Sequence, residues 1–300
     1  MKPLSQAGTG TIAISESQSA PTHKRNLLVR AIKFVLVSTS SIVPKSIYVP
    51  LYNRLFGMYK ALLRLWYFRR VAQARITGNH ALLRRSEIIC RVMPHSLVGS
   101  SGLEVTFDAA SELVKKGIPG AFVECGVAQG GCSALMAIVA STDSLQRTMW
   151  LFDSFQGLPL PTSEDYDEAG TSTGTHIQPL GEGACLGTKD QVEALLFEKF
   201  ALNRKSIFLI EGWFQDTLAR QKAMIGRISL LRIDGDWYES TKCCLQILYD
   251  SIEPGGCVIV DDYGVCFGCK RAVHEFLDER GLNPQLIPDG RGGILFSKTS

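Results

Sequence analysis

AFVECGVAQGGCS, residues 121–133, reads as a buried strand that runs through a glycine-rich turn into a helix. The strand is Ala121–Cys125, with Glu124 near its carboxyl end, and the helix is Cys132–Ser141. Gly126, Gly130 and Gly131 between them let backbone approach a ligand closely, and the first turn of the helix offers unpaired N–H groups. Open α/β sheets bind nucleotide-like ligands at such a place. A turn of this kind also serves simply to pack a helix tightly on a sheet, so the reading depends on what lies further out.

Outward from this stretch, apolar strands alternate with helical periodicity. Leu103–Lys116 precedes it as a helix stopped by Gly117 and Pro119. After it come strands at Met149–Asp153, Ile207–Ile210, Ser229–Ile233 and Cys257–Val260. Helices are expected at Asp190–Phe200, Gln215–Met224, Glu239–Ile252 and Gly268–Arg280, the third stopped by the Pro254, Gly255, Gly256 run. A long loop, 154–187, follows the second strand, and a hairpin around residues 289–292 closes the chain. The pattern predicts an α/β fold: a doubly wound, mostly parallel sheet covered on both faces, with an antiparallel C-terminal hairpin strand.

Acids recur where these strands stop: Glu124, Asp153, Glu211, Asp234 with Asp236, and Asp261 with Asp262. A parallel sheet gathers its carboxyl ends on one edge. Asp153, at the end of the second strand, suits hydrogen bonds to two ribose hydroxyls. Asp234, Asp261 and Asp262 end two strands that a doubly wound sheet makes neighbours. Three hard oxygen ligands there suit Mg²⁺. The acids at 164, 165, 167 and 168 in the long loop read as solvated charge.

VECGVAQGG, LFDSFQGLP, EGWFQDTL, LLRIDGDWYEST and GGCVIVDDYG occur in this order. Together they resemble the macrocin O-methyltransferase (TylF-like) family over roughly Val92 to Ser297. The resemblance implies a Rossmann-like class I S-adenosylmethionine methyltransferase that depends on Mg²⁺ and methylates a sugar hydroxyl. It places Glu124 and Gly126 at the methionine part of the cofactor, and Gly130 among the cofactor-binding residues. Asp153, Ser154 and Phe155 fall at the ribose, and Gly212, Trp213 and Phe214 at the adenine. Asp234, Asp261 and Asp262 become the metal ligands. The segment 93–98 resembles the family's entry loop, with His95 where a Tyr is expected. Asp234 is the first candidate for the base that removes the acceptor's proton, and His176 in the long loop the second. Trp237 stands where related catechol methyltransferases carry a lysine, so no lysine base is available there. The family also tends to self-assemble, which implies a homo-oligomer.

The front of the chain is different. The protein carries 32 Lys and Arg against 29 Asp and Glu, net +3. Yet Ser17 to Ser86 holds thirteen of those cations and no acid, so the remainder is net acidic. Residues 1–22 read as a disordered tail, 23–85 as a basic, apolar helical extension, and 86–300 as the methyltransferase domain. Within the extension Pro44 and Pro50 are expected to break the helical pattern. Tyr52–Arg70 reads as an amphipathic helix with Leu55, Tyr59, Leu62, Leu63 and Trp66 on one face. Residues 24–75 either contact an anionic membrane peripherally or pack on the body or a second subunit. Their longest uncharged run, Phe34–Pro44, is too short to span a bilayer.

A cytoplasmic enzyme, peripheral on the membrane if the extension binds lipid, fits nine cysteines in no disulfide framework. Cys266 and Cys269 form a lone CxxC without a second pair, which favours packing over zinc. An acidic body argues against nucleic acid. The spacing after Gly126 lacks the G-x-G-x-x-G of nicotinamide enzymes. A membrane-associated scaffold that keeps the fold without activity, or a methyltransferase for a surface-polysaccharide or lipid-linked sugar, are the alternative readings.

Overall fold

The computed structural model describes residues 45–168, 170 and 181–299. His176 and the front of the chain before Lys45 lie outside them.

Seven strands form one sheet in the order β3-β2-β1-β4-β5-β7-β6. They are β1 (Ala121–Cys125), β2 (Met149–Asp153), β3 (Ile207–Glu211), β4 (Ile228–Ile233), β5 (Ile252–Val260), β6 (Ile287–Pro288) and β7 (Ile294–Ser297). The first five pair in parallel, and β7 is antiparallel to both β5 and β6. Strand order reverses at β1/β4, so both β1 and β4 end beside the crevice where such folds take ligands.

The strands are largely apolar, and alternate residues enter opposite cores. Phe122, Leu151, Leu230 and Ile259 face one cluster, while Val123, Phe152, Leu231 and Val258 face the other. On the first face lie α2 (His80–Val92), α3 (Ser100–Lys116) and α4 (Gly131–Ala140). On the second lie α6 (Phe214–Ile225), α7 (Tyr238–Leu248) and α8 (Phe267–Glu279). α5 (Lys189–Glu193) continues into a π-turn, Ala194–Lys199, where one uninterrupted α-helix was expected. Cys266 and Cys269 are buried in the second core.

Two boundaries differ from the sequence expectation. The helix expected to reach Ile252 ends at Leu248, and a 3₁₀ turn leads into β5, which starts at Ile252. Ile252 is buried beside Ile228, and pairing resumes only at Leu230 with Cys257. Pro254, which cannot donate to a ladder, and Gly255 at φ +80° make a bulge inside the strand rather than a stop before it.

The front helix also differs. α1 runs unbroken from Lys45 to Ile76 with Pro50 inside it. Proline there removes one intrahelical bond near the start, where few precede it. The buried stripe is Leu63, Tyr67, Val71 and Ala74, whereas Leu55, Tyr59 and Leu62 are exposed. Partners explain the choice of face. Tyr67 donates to Glu104 Oε1 (2.5 Å), and Arg70 and Arg85 both pair with Glu104 at 3.2 Å, which fastens the C-terminal half of α1 to α3.

Candidate active site

The carboxyl edge of the sheet is cut by a cleft lined, among others, by Gly126, Asp153, Ser154, Trp213, Phe214, Asp234, Asp236, Asp261, Asp262 and Arg291. The glycine turn after β1 forms its floor. Gly126 sits at φ +95°, and a Cβ there would lie 1.8 Å from the Asp234 carbonyl oxygen, so β1 and β4 approach this closely only with glycine at that position. Gly187, at the far end of the long loop, packs the same way: its Cβ would meet the Ala128 carbonyl at 1.9 Å.

Asp153 holds this turn in place. Its Oδ2 accepts the Val127 and Ala128 amides at 2.7 and 2.9 Å, and its Oδ1 accepts the Phe155 amide at 2.7 Å. The Ser154 hydroxyl accepts the Gln156 amide at 3.1 Å. Phe155 packs against the first core, and Gly212 donates to the Asp153 carbonyl at 2.9 Å. Gly130 precedes α4 at φ +80° and packs on Val192 and Leu195. Glu124 is buried and turned inward. It accepts the Ser133 hydroxyl and pairs with Arg232 at 3.3 Å, and burial pushes its pKa up to about 7.

The metal-type acids meet. Asp234, Asp261 and Asp262 each offer an oxygen within 4.8 Å of the others, and Asp236, Asp262 and Cys266 make a second such group. Two guanidiniums compensate them. Arg232, fully buried on β4, reaches Asp234 at 2.7 Å and Asp261 at 2.8 Å, and Arg291 reaches Asp261 at 2.5 Å. Among the described residues no guanidinium pairs with Asp262; it accepts the Asp236 amide at 3.1 Å, and burial and its acidic neighbours hold its pKa well above the ordinary value. Burial likewise raises Asp236, to about 8. The carboxylates of Glu124, Asp234, Asp236, Asp261 and Asp262 therefore outnumber the two guanidiniums beside them, a donor set that fits a divalent cation.

Three of the residues that build this site escaped the sequence reading. Arg232 left a signal, a lone charge inside the apolar run LLRI. Arg291 lies in the hairpin turn and reaches the cleft only through the sheet's closure. Asp165, read as solvated charge, is fully buried. It completes a capping box with Thr162, and its Oδ1 accepts the Tyr238 amide at 2.6 Å at the start of α7. With Trp237 Nε1 donating to the Pro159 carbonyl at 2.9 Å, it anchors the loop so that Leu158 and Pro159 wall the cleft.

Known proteins share this architecture. The solved structure of the O-methyltransferase NovP aligns at a TM-score of 0.59 with 31% identity, covering 69% of this chain and 83% of that one. Demethyldecarbamoylnovobiocin O-methyltransferase of Streptomyces niveus is 34% identical over 206 residues, 68% of this chain and 76% of that protein. Mycinamicin III 3''-O-methyltransferase of Micromonospora griseorubida is 30% identical over 207 residues, 69% and 79% of the two chains. The family model for macrocin O-methyltransferase (TylF) matches residues 57–297, from within α1 to the last residue of β7. With its cleft, its strand order and its relatives in agreement, the chain belongs to the TylF macrocin O-methyltransferase family.

Proposed function

We propose that the protein transfers the methyl group of S-adenosylmethionine to a hydroxyl of a sugar or of a glycosylated natural product, with Mg²⁺ as its metal. The observation that carries this reading is one cleft in which the Asp153, Trp213 and Phe214 wall faces the carboxylates of β4 and β5. The rhamnosyl-bearing acceptor named for the relative from Streptomyces olivaceus supports the acceptor class.

Asp153, Ser154, Trp213 and Phe214 would hold the nucleoside, and the glycine turn at Gly126 the methionine part. Asp234, Asp261 and Asp262 would hold Mg²⁺, whose charge lowers the pKa of a neighbouring hydroxyl and fixes its oxygen. In the reaction the acceptor oxygen gains the methyl carbon, the carbon–sulfur bond breaks, S-adenosylhomocysteine departs, and the hydroxyl proton goes to a carboxylate. Asp234 is our first choice for that base. Asp236 is the second reading, because it lines the same wall without a guanidinium partner. The walls formed by Leu97, Val98, Leu158 and Pro159 exclude water and restrict the acceptor's approach to the methyl group.

Calorimetric titration with S-adenosylmethionine tests the cofactor assignment. Asp153→Ala frees the Val127, Ala128 and Phe155 amides and removes the carboxylate, and is expected to weaken binding by about 1–3 kcal/mol. Equal affinity in wild type and variant would remove Asp153 from the cofactor site.

Peripheral membrane contact through α1 belongs to the same proposal. No helix among the described residues is long and apolar enough to cross a membrane. Ile47, Leu51, Leu55, Met58, Leu62 and Leu65 are nevertheless exposed at helical spacing, in a segment without a single acid. That charge balance matches an anionic bilayer and opposes pairing with a second copy. Leu55→Gln, Met58→Gln and Leu62→Gln combined are expected to cut flotation with phosphatidylglycerol vesicles at least about fivefold. Unchanged flotation would reject the contact.

A further inference from the structure

Four basic side chains gather around the segment 93–98, away from the carboxylates. Lys60 donates to the Ser96 carbonyl at 3.4 Å, and Lys199 Nζ lies 2.6 Å from His95 Nε2. Arg64 stands one helical turn beyond Lys60 on α1, and its buried Nε makes no hydrogen bond. They come from three separate elements: α1, the segment 93–98, and the π-turn after α5. Irregular turns of this kind concentrate at functional sites.

What the group lacks is a carboxylate. Elsewhere on the same face, Arg70, Arg75, Arg85 and Arg204 each pair with an acid. Among the described residues no ion pair reaches Lys60, Arg64, His95 or Lys199, and Glu198 next to Lys199 pairs with none of them. The imidazole reports the imbalance: burial, then Lys199, Lys60 and Arg64, all hold His95 below its ordinary pKa, with no acid opposing them. Lys60 is half-buried, and desolvation lowers its own pKa. Three cations crowded without a counter-ion cost free energy that a multiply charged anion would recover.

The position says what that anion is for. Leu97 and Val98, directly after His95 and Ser96, line the cleft. Gly131 packs against the His95 carbonyl and the Ser96 Cβ, which fixes this segment on the first turn of α4. An anion held by the cluster would thus sit one short segment from the lining of the cleft.

We propose that Lys60, Arg64, His95 and Lys199 form a phosphate-binding site one short segment from the cleft, and that the acceptor is a sugar carrying a phosphate or diphosphate. The identification of the anion as part of the acceptor rests on the methyl-transfer reading above; the anion site itself does not. Lys supplies point charges and Arg a planar fork, the usual pair for a diphosphate. The diphosphate could be esterified to a nucleoside or to a lipid, and the cluster recognises what the two share.

Titration of the full-length protein with inorganic pyrophosphate, uridine diphosphate and farnesyl diphosphate tests the site. Saturable pyrophosphate binding is expected, at least about fivefold weaker in Lys60→Gln and in Lys199→Gln and unchanged in Arg204→Gln, whose cation is already paired with Glu193. Tighter binding of uridine diphosphate or of farnesyl diphosphate than of the bare anion assigns the nucleoside or the lipid form. Unaltered affinity for S-adenosylmethionine shows that each variant is folded. Absence of saturable binding by all three probes, or binding that the two variants leave unchanged, overturns the site. A protein that binds pyrophosphate but transfers no methyl group would instead overturn the methyl-transfer reading and leave the anion site standing.

Discussion

Asp262→Asn is expected to lower methyl transfer by about two to three orders of magnitude while changing the affinity for S-adenosylmethionine less than about twofold. Asparagine keeps an oxygen to accept the Asp236 amide, so the β5 end should hold its shape. What disappears is the capacity to carry a negative charge, at the carboxylate that neither Arg232 nor Arg291 touches. If that charge holds a divalent cation, exhaustive EDTA treatment of the wild type should cost a similar factor, and added Mg²⁺ should restore it. The same treatment of the variant should then add little, because both changes remove one interaction. Initial rates with labelled cofactor, with and without EDTA, give the four numbers needed. Full wild-type activity after metal removal, or two independent and multiplicative losses, would sink the metal reading.

The contrast between Asp262 and Arg232 also shows how far the sequence could be read. β1 and β2 were legible to the residue, because each is a short apolar run with an acid at or next to its end, followed by glycine or a turn. The convergence of Asp234, Asp261 and Asp262 was legible too, since parallel neighbours must end on one edge. The exposed face of α1 was not. Apolar residues surround that helix, so periodicity alone could not say that Leu63 and Tyr67 would face the body while Leu55 and Leu62 would not. Only the distant acid Glu104, on α3, breaks the tie. Asp165 was hidden for a related reason: its loop is rich in acids, and the amide it caps lies 73 residues further along. The basic cluster is the extreme case. Its members come from positions 60 to 199, and its meaning lies in an absence of acids that appears only when the chain is folded.

Arg232→Met should be the most destabilising of these substitutions, by about 3–5 kcal/mol, the usual cost of removing one partner from a buried ion cluster. Methionine fills much of the volume and suits an apolar strand, so the loss is electrostatic rather than a cavity. Arg232 is fully buried between β1 and β5, and it faces Glu124, Asp234 and Asp261 together. Without it all three lose their nearest shared cation. Chemical denaturation should report the deficit, and a melting scan should fall by roughly 6–20 °C for a domain of this size. The pH dependence has a definite sign. Burial already raises Glu124 to about 7 while Arg232 opposes the rise, so removing the arginine pushes Glu124 higher still. The folded variant then binds more protons than its unfolded chain between the ordinary glutamate pKa and that raised value. Its stability must fall as pH rises through this window, and the deficit against wild type should be larger at pH 8 than at pH 6. Glu124→Gln in the same chain removes one of the stranded charges and keeps an acceptor for Ser133. It should recover part of the loss at pH 8 and little at pH 6. A deficit that ignores both pH and the second substitution would mean that Arg232 matters for packing alone, and that the carboxylates of the cleft are compensated from elsewhere.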